Sequence, residues 1–292
     1  VILPGRAHVG HILRYVGKPL IWLLAWDVVV TAFWYVIHPR LTAEFPALPL
    51  TLLGSAVAVY LSFRNTTAYA RWWEARTLWG AMVNASRTLA REAGTMLPDR
   101  AVGATVAHRQ IAYVHALRMH LRRQAPWDEL TPRLPADEIE RLRHVTNLPN
   151  AIHARTGVLI ADARADPILL ASLARTLSDI SNAQGGMERI KNTPLPQQYA
   201  TYPGIFTHGF CILLPLGLVE TLGLYTPLGS TMAGFLFLAL LQIGNDMQNP
   251  FENLEDDVPL TTLTRGIEID LRDSLGEAHG LKPVQPDNGI LW

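Results

Sequence analysis

Apolar positions collect in four stretches, and polar positions fill the chain between and after them. Residues 19–37 (PLIWLLAWDVVVTAFWYVI) carry one charge, Asp27, and residues 45–63 (FPALPLTLLGSAVAVYLSF) carry none. Residues 205–219 (IFTHGFCILLPLGLV) and 229–243 (GSTMAGFLFLALLQI) form a second pair, and from Asn192 to Asn245 the only charged side chain is Glu220. A helix that crosses a bilayer needs about 20 mostly apolar residues. Each stretch is near or slightly below that length, so the pairing carries the argument. His38, Pro39, Arg40 and Pro46 punctuate the first link, and Gly223 and Pro227 lie in the second, at 221–228. The pattern predicts two helical hairpins in a membrane. The alternative is a large soluble helical protein with buried helices.

The middle of the chain has a different texture. From Arg64 to Lys191 there are 18 basic and 12 acidic residues in 128, close to the roughly 25% charged residues of soluble proteins, so this block faces water. Its periodicity predicts helices at 64–96, continuing the second span without a breaker, and at 104–123, 136–145 and 166–190. Arg71 and Glu74 are i,i+3 neighbours suited to pairing. Pro126, Pro132, Pro135 and Pro149 fall in the links. No strand alternation of useful length and no internal repeat is present. The expected organisation is an N-terminal segment at 1–18, spans 1 and 2 within 19–63, a helical domain at 64–204, spans 3 and 4 within 205–245, and a polar tail at 246–292.

Basic residues set the orientation. Arg6, Arg14 and Lys18 precede span 1, Arg64, Arg71 and Arg76 follow span 2, and Arg189 and Lys191 precede span 3. The links inside the two pairs hold only Arg40. Both termini and the middle block are therefore expected in the cytoplasm, as in a multi-pass protein of the cell (inner) membrane. Pro4, Gly5 and His8 fit no apolar leader, so no cleavable signal peptide is expected.

Composition removes other classes. Of 292 residues 49% are hydrophobic and 17% charged, which is too apolar for a disordered chain. Lys+Arg and Asp+Glu are 25 each, which leaves no excess positive charge to neutralise phosphates and argues against a nucleic-acid partner. Cys211 is the only cysteine, so no disulfide framework exists.

Several residues are candidates for chemistry. Ser55, Val59 and Phe63 follow one another at i, i+4 and i+8 and share a helical face. Gly54, Ala56, Ala58 and Ser62 keep that helix slim, which suits close packing. Several copies around an axis would make the face a narrow apolar constriction able to gate by dewetting, while plain packing on a neighbour is the competing reading. Asp27 lies mid-span, where a carboxylate needs a partner or water; a Trp across the bundle is one possible partner. Residues 249–257 (NPFENLEDD) form an oxygen-rich segment, and Glu252, Glu255, Asp256 and Asp257 are candidate ligands for a hard cation. The segment lacks the spacing and glycine of an EF-hand, and a solvated acidic turn is the plainer reading. Trp72 and Trp73 suit a membrane interface or helix packing. His108, His115 and His120 share no helical face, and His208 with Cys211 makes only two ligands, too few for a zinc site. There is no phosphate loop, HExxH or GxSxG, and no constellation that would make the chain an enzyme.

The segment Phe63-Arg64-Asn65-Thr66-Thr67-Ala68-Tyr69-Ala70-Arg71-Trp72-Trp73-Glu74-Ala75-Arg76, followed by Leu78-Trp79-Gly80, closely resembles the signature of the bestrophin family. Asn192-Thr193-Pro194-Leu195-Pro196 before span 3 resembles a second landmark. Asn249-Pro250-Phe251, through Asp256-Asp257-Val258-Pro259-Leu260, resembles a third. Order and spacing agree along nearly the whole chain, which is similar to a bacterial member.

The resemblance implies an all-α integral membrane protein with four transmembrane helices per subunit and a cytosolic helical domain. Five copies would form a homopentamer around one axial pore that passes small inorganic ions. It also implies a hydrophobic neck at Ser55, Val59 and Phe63, the face found from spacing, and a cytosolic aperture at Leu195. Ser55 departs from the apolar residue usual at the outer neck, which implies a wider or wetter entrance. Animal members hold calcium in a clasp around the Asn-Pro-Phe loop. Here Asp257 matches one clasp carboxylate, but Leu254 stands at the other, so Glu252, Glu255 or Asp256 would have to substitute. No cofactor is required on this reading, and calcium activation is disfavoured. The expected function is passive conduction, with chloride and other anions favoured over cations. A cation channel of the same fold and a membrane scaffold or sensor without conduction are the alternatives.

Overall fold

The computed structural model describes residues 15–37, 47–287 and 289–292. Arg6, Arg14, the leader positions Pro4, Gly5 and His8, and the link punctuated by His38, Pro39, Arg40 and Pro46 lie outside the described residues. Within them the chain is helical, and the one strand-like feature is an isolated antiparallel bridge between Asp287 and Ile290. The helices are α1 (Lys18–Ile37), α2 (Ala47–Met96), α3 (Arg100–Leu121), α4 (Trp127–Leu130), α5 (Ala136–Leu142), α6 (Leu148–Asp162), α7 (Pro167–Asn192), α8 (Gln197–Ala200), α9 (Tyr202–Leu222), α10 (Thr226–Met247) and α11 (Leu260–Ser274).

The expected continuation of the second span is borne out. α2 is one helix of 50 residues, about 75 Å long at 1.5 Å per residue. The helices expected at 104–123, 136–145 and 166–190 appear with shifted ends at 100–121, 136–142 and 167–192. Two longer helices, α6 and α11, and the single turns α4 and α8 fall where the sequence predicts links and a polar tail. Pro149 is the cause in the first case: it sits in the first turn of α6, where its missing N–H costs nothing, and Asn147 caps that turn by accepting from Asn150 N at 3.1 Å. α11 reads as polar on average, yet Leu260, Thr264, Ile267 and Leu271 form one buried face.

The chain divides into two compact units. The first comprises 72–193 and 249–292, together with residues 1–3 outside the description. Its core brings Trp79, Met82 and Leu89 of α2 against Ile111, Leu117 and Leu121 of α3, with Ile152, Ile180, Ile267 and Leu271 from α6, α7 and α11. Gly186 of α7 makes room for Leu78, since a Cβ there would lie 2.8 Å from its Cδ1. Within this unit Glu74 meets Arg189, and Trp72 Nε1 donates to the Asp256 carbonyl at 2.9 Å.

The second unit comprises 4–71 and 194–248. Here α1, the first part of α2, α9 and α10 pack together. Helices within Lys18–Val36 and Gln197–Met247 are long and apolar enough to cross a membrane. Leu50, Gly54, Val57, Leu61, Arg64 and Ala68 of α2 are all buried, a seam repeating every three or four residues. A Cβ on Gly54 would lie 2.9 Å from the Phe210 ring, which explains the small residue. Gly223 ends α9 at φ +56° and opens the turn into α10. Asp27 is fully buried, and its partners are Ser230 Oγ at 2.9 Å and Thr231 Oγ1 at 2.7 Å on α10, in place of the expected Trp. Trp26 Nε1 instead donates to the Ile212 carbonyl at 2.9 Å.

Candidate functional site

The face of α2 opposite its buried seam carries Ser55, Val59 and Phe63. All three are exposed in the chain, Val59 by 56% and Phe63 by 65%. Large apolar side chains on the unpacked side of a helix that is buried along its other side define a surface awaiting cover. Ser55 Oγ bonds back to the Thr51 carbonyl at 3.0 Å, so its hydroxyl is satisfied within the helix. Thr66 and Thr67 bond back to Ser62 and Phe63 in the same way. The face is therefore apolar with short, internally satisfied hydroxyls, and it bears no ionisable side chain between Ser55 and Phe63.

Leu195 lies between α7 and α8 in an irregular segment and is half-buried. Pro194 and Pro196 flank it and fix the backbone on both sides. The Pro196 carbonyl accepts from Tyr199 N at 2.8 Å and Ala200 N at 3.0 Å, so the single turn of α8 stiffens the segment that carries Leu195.

Directly after Phe63 comes Arg64, whose long-range partners the sequence did not indicate. Arg64 is fully buried. Its Nε donates to the Tyr199 carbonyl at 2.9 Å, Nη1 to the Leu241 carbonyl at 2.9 Å, and Nη2 to Asn245 Oδ1 at 2.5 Å and Gln248 Oε1 at 3.4 Å. Every acceptor is neutral. Arg71, two turns on, donates from Nε to the Gln248 carbonyl at 2.7 Å.

The candidate divalent ligands do not converge. Among the described residues no group of three or more His, Cys, Asp or Glu is placed to hold a metal ion. Glu252 is exposed and pairs with Lys191 at 2.8 Å. Asp257 is buried and turns inward, where Oδ2 accepts from Leu254 N at 3.1 Å. Burial pushes its carboxyl up to about 6, against the opposing pull of the amides of Leu254, Glu252 and Asn253. Asn253 adopts φ +67°, the left-handed conformation that Asn tolerates in tight turns. The acidic segment is thus a folded turn in which one carboxyl is structural.

The histidines also resolve into structure. His115 is buried between Glu129 Oε2 at 3.2 Å and Glu268 Oε2 at 3.0 Å. His108 meets Glu277 at 2.6 Å and His120 approaches Glu188 at 3.6 Å. His208 bonds the Gly204 carbonyl of its own helix at 2.7 Å, and Cys211 is buried.

A helical hairpin architecture with a long shared helix, an uncovered apolar face and a proline-braced leucine defines a class that comparison identifies. The chain belongs to the bestrophin family: residues 6–273 match the family described as Bacterial/Fungal Bestrophin protein. Its relatives include the Voltage-dependent anion channel-forming protein YneE of Escherichia coli O157:H7, 36% identical over 95% of this chain and 92% of that one. Another is the Voltage-dependent anion channel-forming protein RSc3414 of Ralstonia nicotianae, 36% identical over 81% of this chain and 80% of that one. A crystal structure of a bacterial bestrophin homologue from Klebsiella pneumoniae superposes with a TM-score of 0.86 at 28% identity, covering 89% of this chain and 98% of that one.

Proposed function

We propose that this chain is one subunit of a homopentameric ion channel of the cell inner membrane. The observation that carries the reading is the two-sided character of α2. Its seam from Leu50 to Ala68 is packed within the chain, while Ser55, Val59 and Phe63 face away uncovered. Five such faces around an axis enclose a neck, and an ion in it exchanges hydration water for apolar walls, so small changes of radius gate conduction by dewetting. Leu195 forms the second constriction at the cytosolic end. The four spans lie within 19–63 and 205–245, the termini and the helical domain at 64–204 are cytoplasmic, and the surrounding bilayer covers the apolar exterior. Exposed Trp22, Leu224 and Leu228 suit that exterior.

Conduction is passive, needs no cofactor and involves no chemistry, so the chain is not an enzyme. Anions are the proposed permeant class, on the strength of the names borne by relatives at 36% identity. The test is the reversal potential of purified protein in planar bilayers under a KCl gradient. Reversal near the chloride potential is expected. Reversal near the potassium potential would overturn the ion class and leave the channel. Absence of current in vesicles holding intact pentamers would overturn conduction and favour a scaffold.

A further inference from the structure

Arg64 occupies a place that neither the neck nor the aperture explains. It follows the last neck residue directly, it is fully buried, and its described partners are neutral. A buried cation without a counter-charge is costly unless its donors are satisfied. This one is satisfied by four acceptors drawn from two other stretches, Tyr199 on α8 and Leu241, Asn245 and Gln248 on or just after α10. The site is shaped for it: a Cβ on Gly244 would lie 2.2 Å from Arg64 Nη1, so only glycine lets the guanidinium reach α10. One turn earlier, the Tyr60 hydroxyl donates to the Gln198 carbonyl. Two consecutive turns of the neck helix are therefore tied to two consecutive carbonyls of α8. Tyr199 N in turn donates to the Pro196 carbonyl, next to Leu195. The path from Phe63 to Leu195 runs through one side chain and one short turn.

We propose that Arg64, seconded by Tyr60, is a positioning residue that couples the neck to the cytosolic aperture, so that the two constrictions open and close together. This rests on the channel reading of Val59, Phe63 and Leu195. A displacement of the 60–64 turn must either carry 197–200 with it or break charge-assisted bonds in a water-poor site, where such bonds are stronger than neutral ones.

The experiment is a double-mutant cycle on open probability in planar bilayers, with Phe63→Ala and Leu195→Ala alone and combined. It is run in the native background, in Arg64→Gln and in Tyr60→Phe. A coupling of about 2- to 30-fold between positions 63 and 195 is expected natively, with collapse to additivity in both variants. Additive effects natively, or unchanged coupling in both variants, would overturn the proposal. If Arg64→Gln does not assemble, Tyr60→Phe decides, because it removes one hydroxyl and leaves the ring against Phe206. If the native protein passes no current, the channel reading fails separately. The tie is then read from the rate at which a methanethiosulfonate reagent modifies Leu195→Cys, with Cys211 buried. A change of several-fold on adding Tyr60→Phe supports the tie, and an unchanged rate refutes it.

Discussion

Arg109 and Arg64 are both buried arginines, and they are held by different chemistry. In the helical unit Arg109 meets the Glu138 carboxylate with two parallel bonds, at 2.8 and 2.7 Å. The same unit gathers His115, Arg118, Arg133 and Arg272 around Glu129 and Glu268. In the apolar unit Arg64 has carbonyls and amides, and Asp27 has two hydroxyls. Opposite charges brought together neutralise one another and lock a fold. A lone charge held by neutral groups keeps its field and couples to whatever carries those groups. The first arrangement suits a rigid body, and the second is the one on which the coupling proposed for Arg64 rests.

The comparison can be broken at its strongest point first. Glu268→Ala removes the carboxylate between His115 and Arg133 and leaves cations buried without it. Unfolding of the purified protein should show a loss of about 3–5 kcal/mol, and a loss under about 1 kcal/mol would mean that the cluster does not lock the unit. Its pH dependence has a definite sign. Burial alone would raise the Glu268 carboxyl, but His115 and Arg133 outweigh it and hold it down at about 2. Its contribution is therefore present above the ordinary carboxylate range and disappears as pH falls through about 2.

Asp257 sharpens the comparison from the other side, because it is buried in the same unit and burial outweighs the groups that stabilise its charge. Its folded carboxyl titrates at about 6 rather than 3.8. A raised carboxyl favours folding while protonated, and that advantage is lost as pH rises through about 6. Thermal melts of the native protein and Asp257→Asn should therefore diverge by about 3 kcal/mol between about pH 4 and pH 7, the native protein losing stability. Parallel curves would contradict the assignment.

Smaller effects follow. Asp27→Asn keeps an oxygen for Ser230 and Thr231 and should change stability by only about 1 kcal/mol; a collapse of folding would show that its partners are not the neutral hydroxyls alone. Arg87→Ala removes an exposed pair with Asp270, 2.6 Å apart, and should cost less than about 1 kcal/mol. A larger loss there would erase the distinction between buried and exposed pairs.

Much of this was legible in the chain before folding. The apolar runs, the unbroken 64–96 helix and the face of Ser55, Val59 and Phe63 follow from spacing, because hydrophobic period is local. α6 was not, because Pro149 reads equally as a link and as a helix start. α11 was not, because five buried positions in fifteen vanish in an average. The partners of Asp27 lie 203 and 204 residues away, and those of Arg64 between 135 and 184. No local pattern records such pairings. The acidic run at 252–257 left two readings open, an ion site and a plain acidic turn, because sequence does not record where a turn sends its side chains: Glu252 pairs with Lys191 and Asp257 turns inward.

The central claim is that the uncovered face of α2 is the wall along which ions pass. Single-channel recording of the purified protein beside Phe63→Ala and Val59→Ala, in the same bilayer and salt, tests it most directly. Stepwise currents are predicted for the native protein, with open probability or unit conductance raised in both variants as the apolar constriction widens. Native currents unchanged by either substitution would place the pore elsewhere and contradict the account.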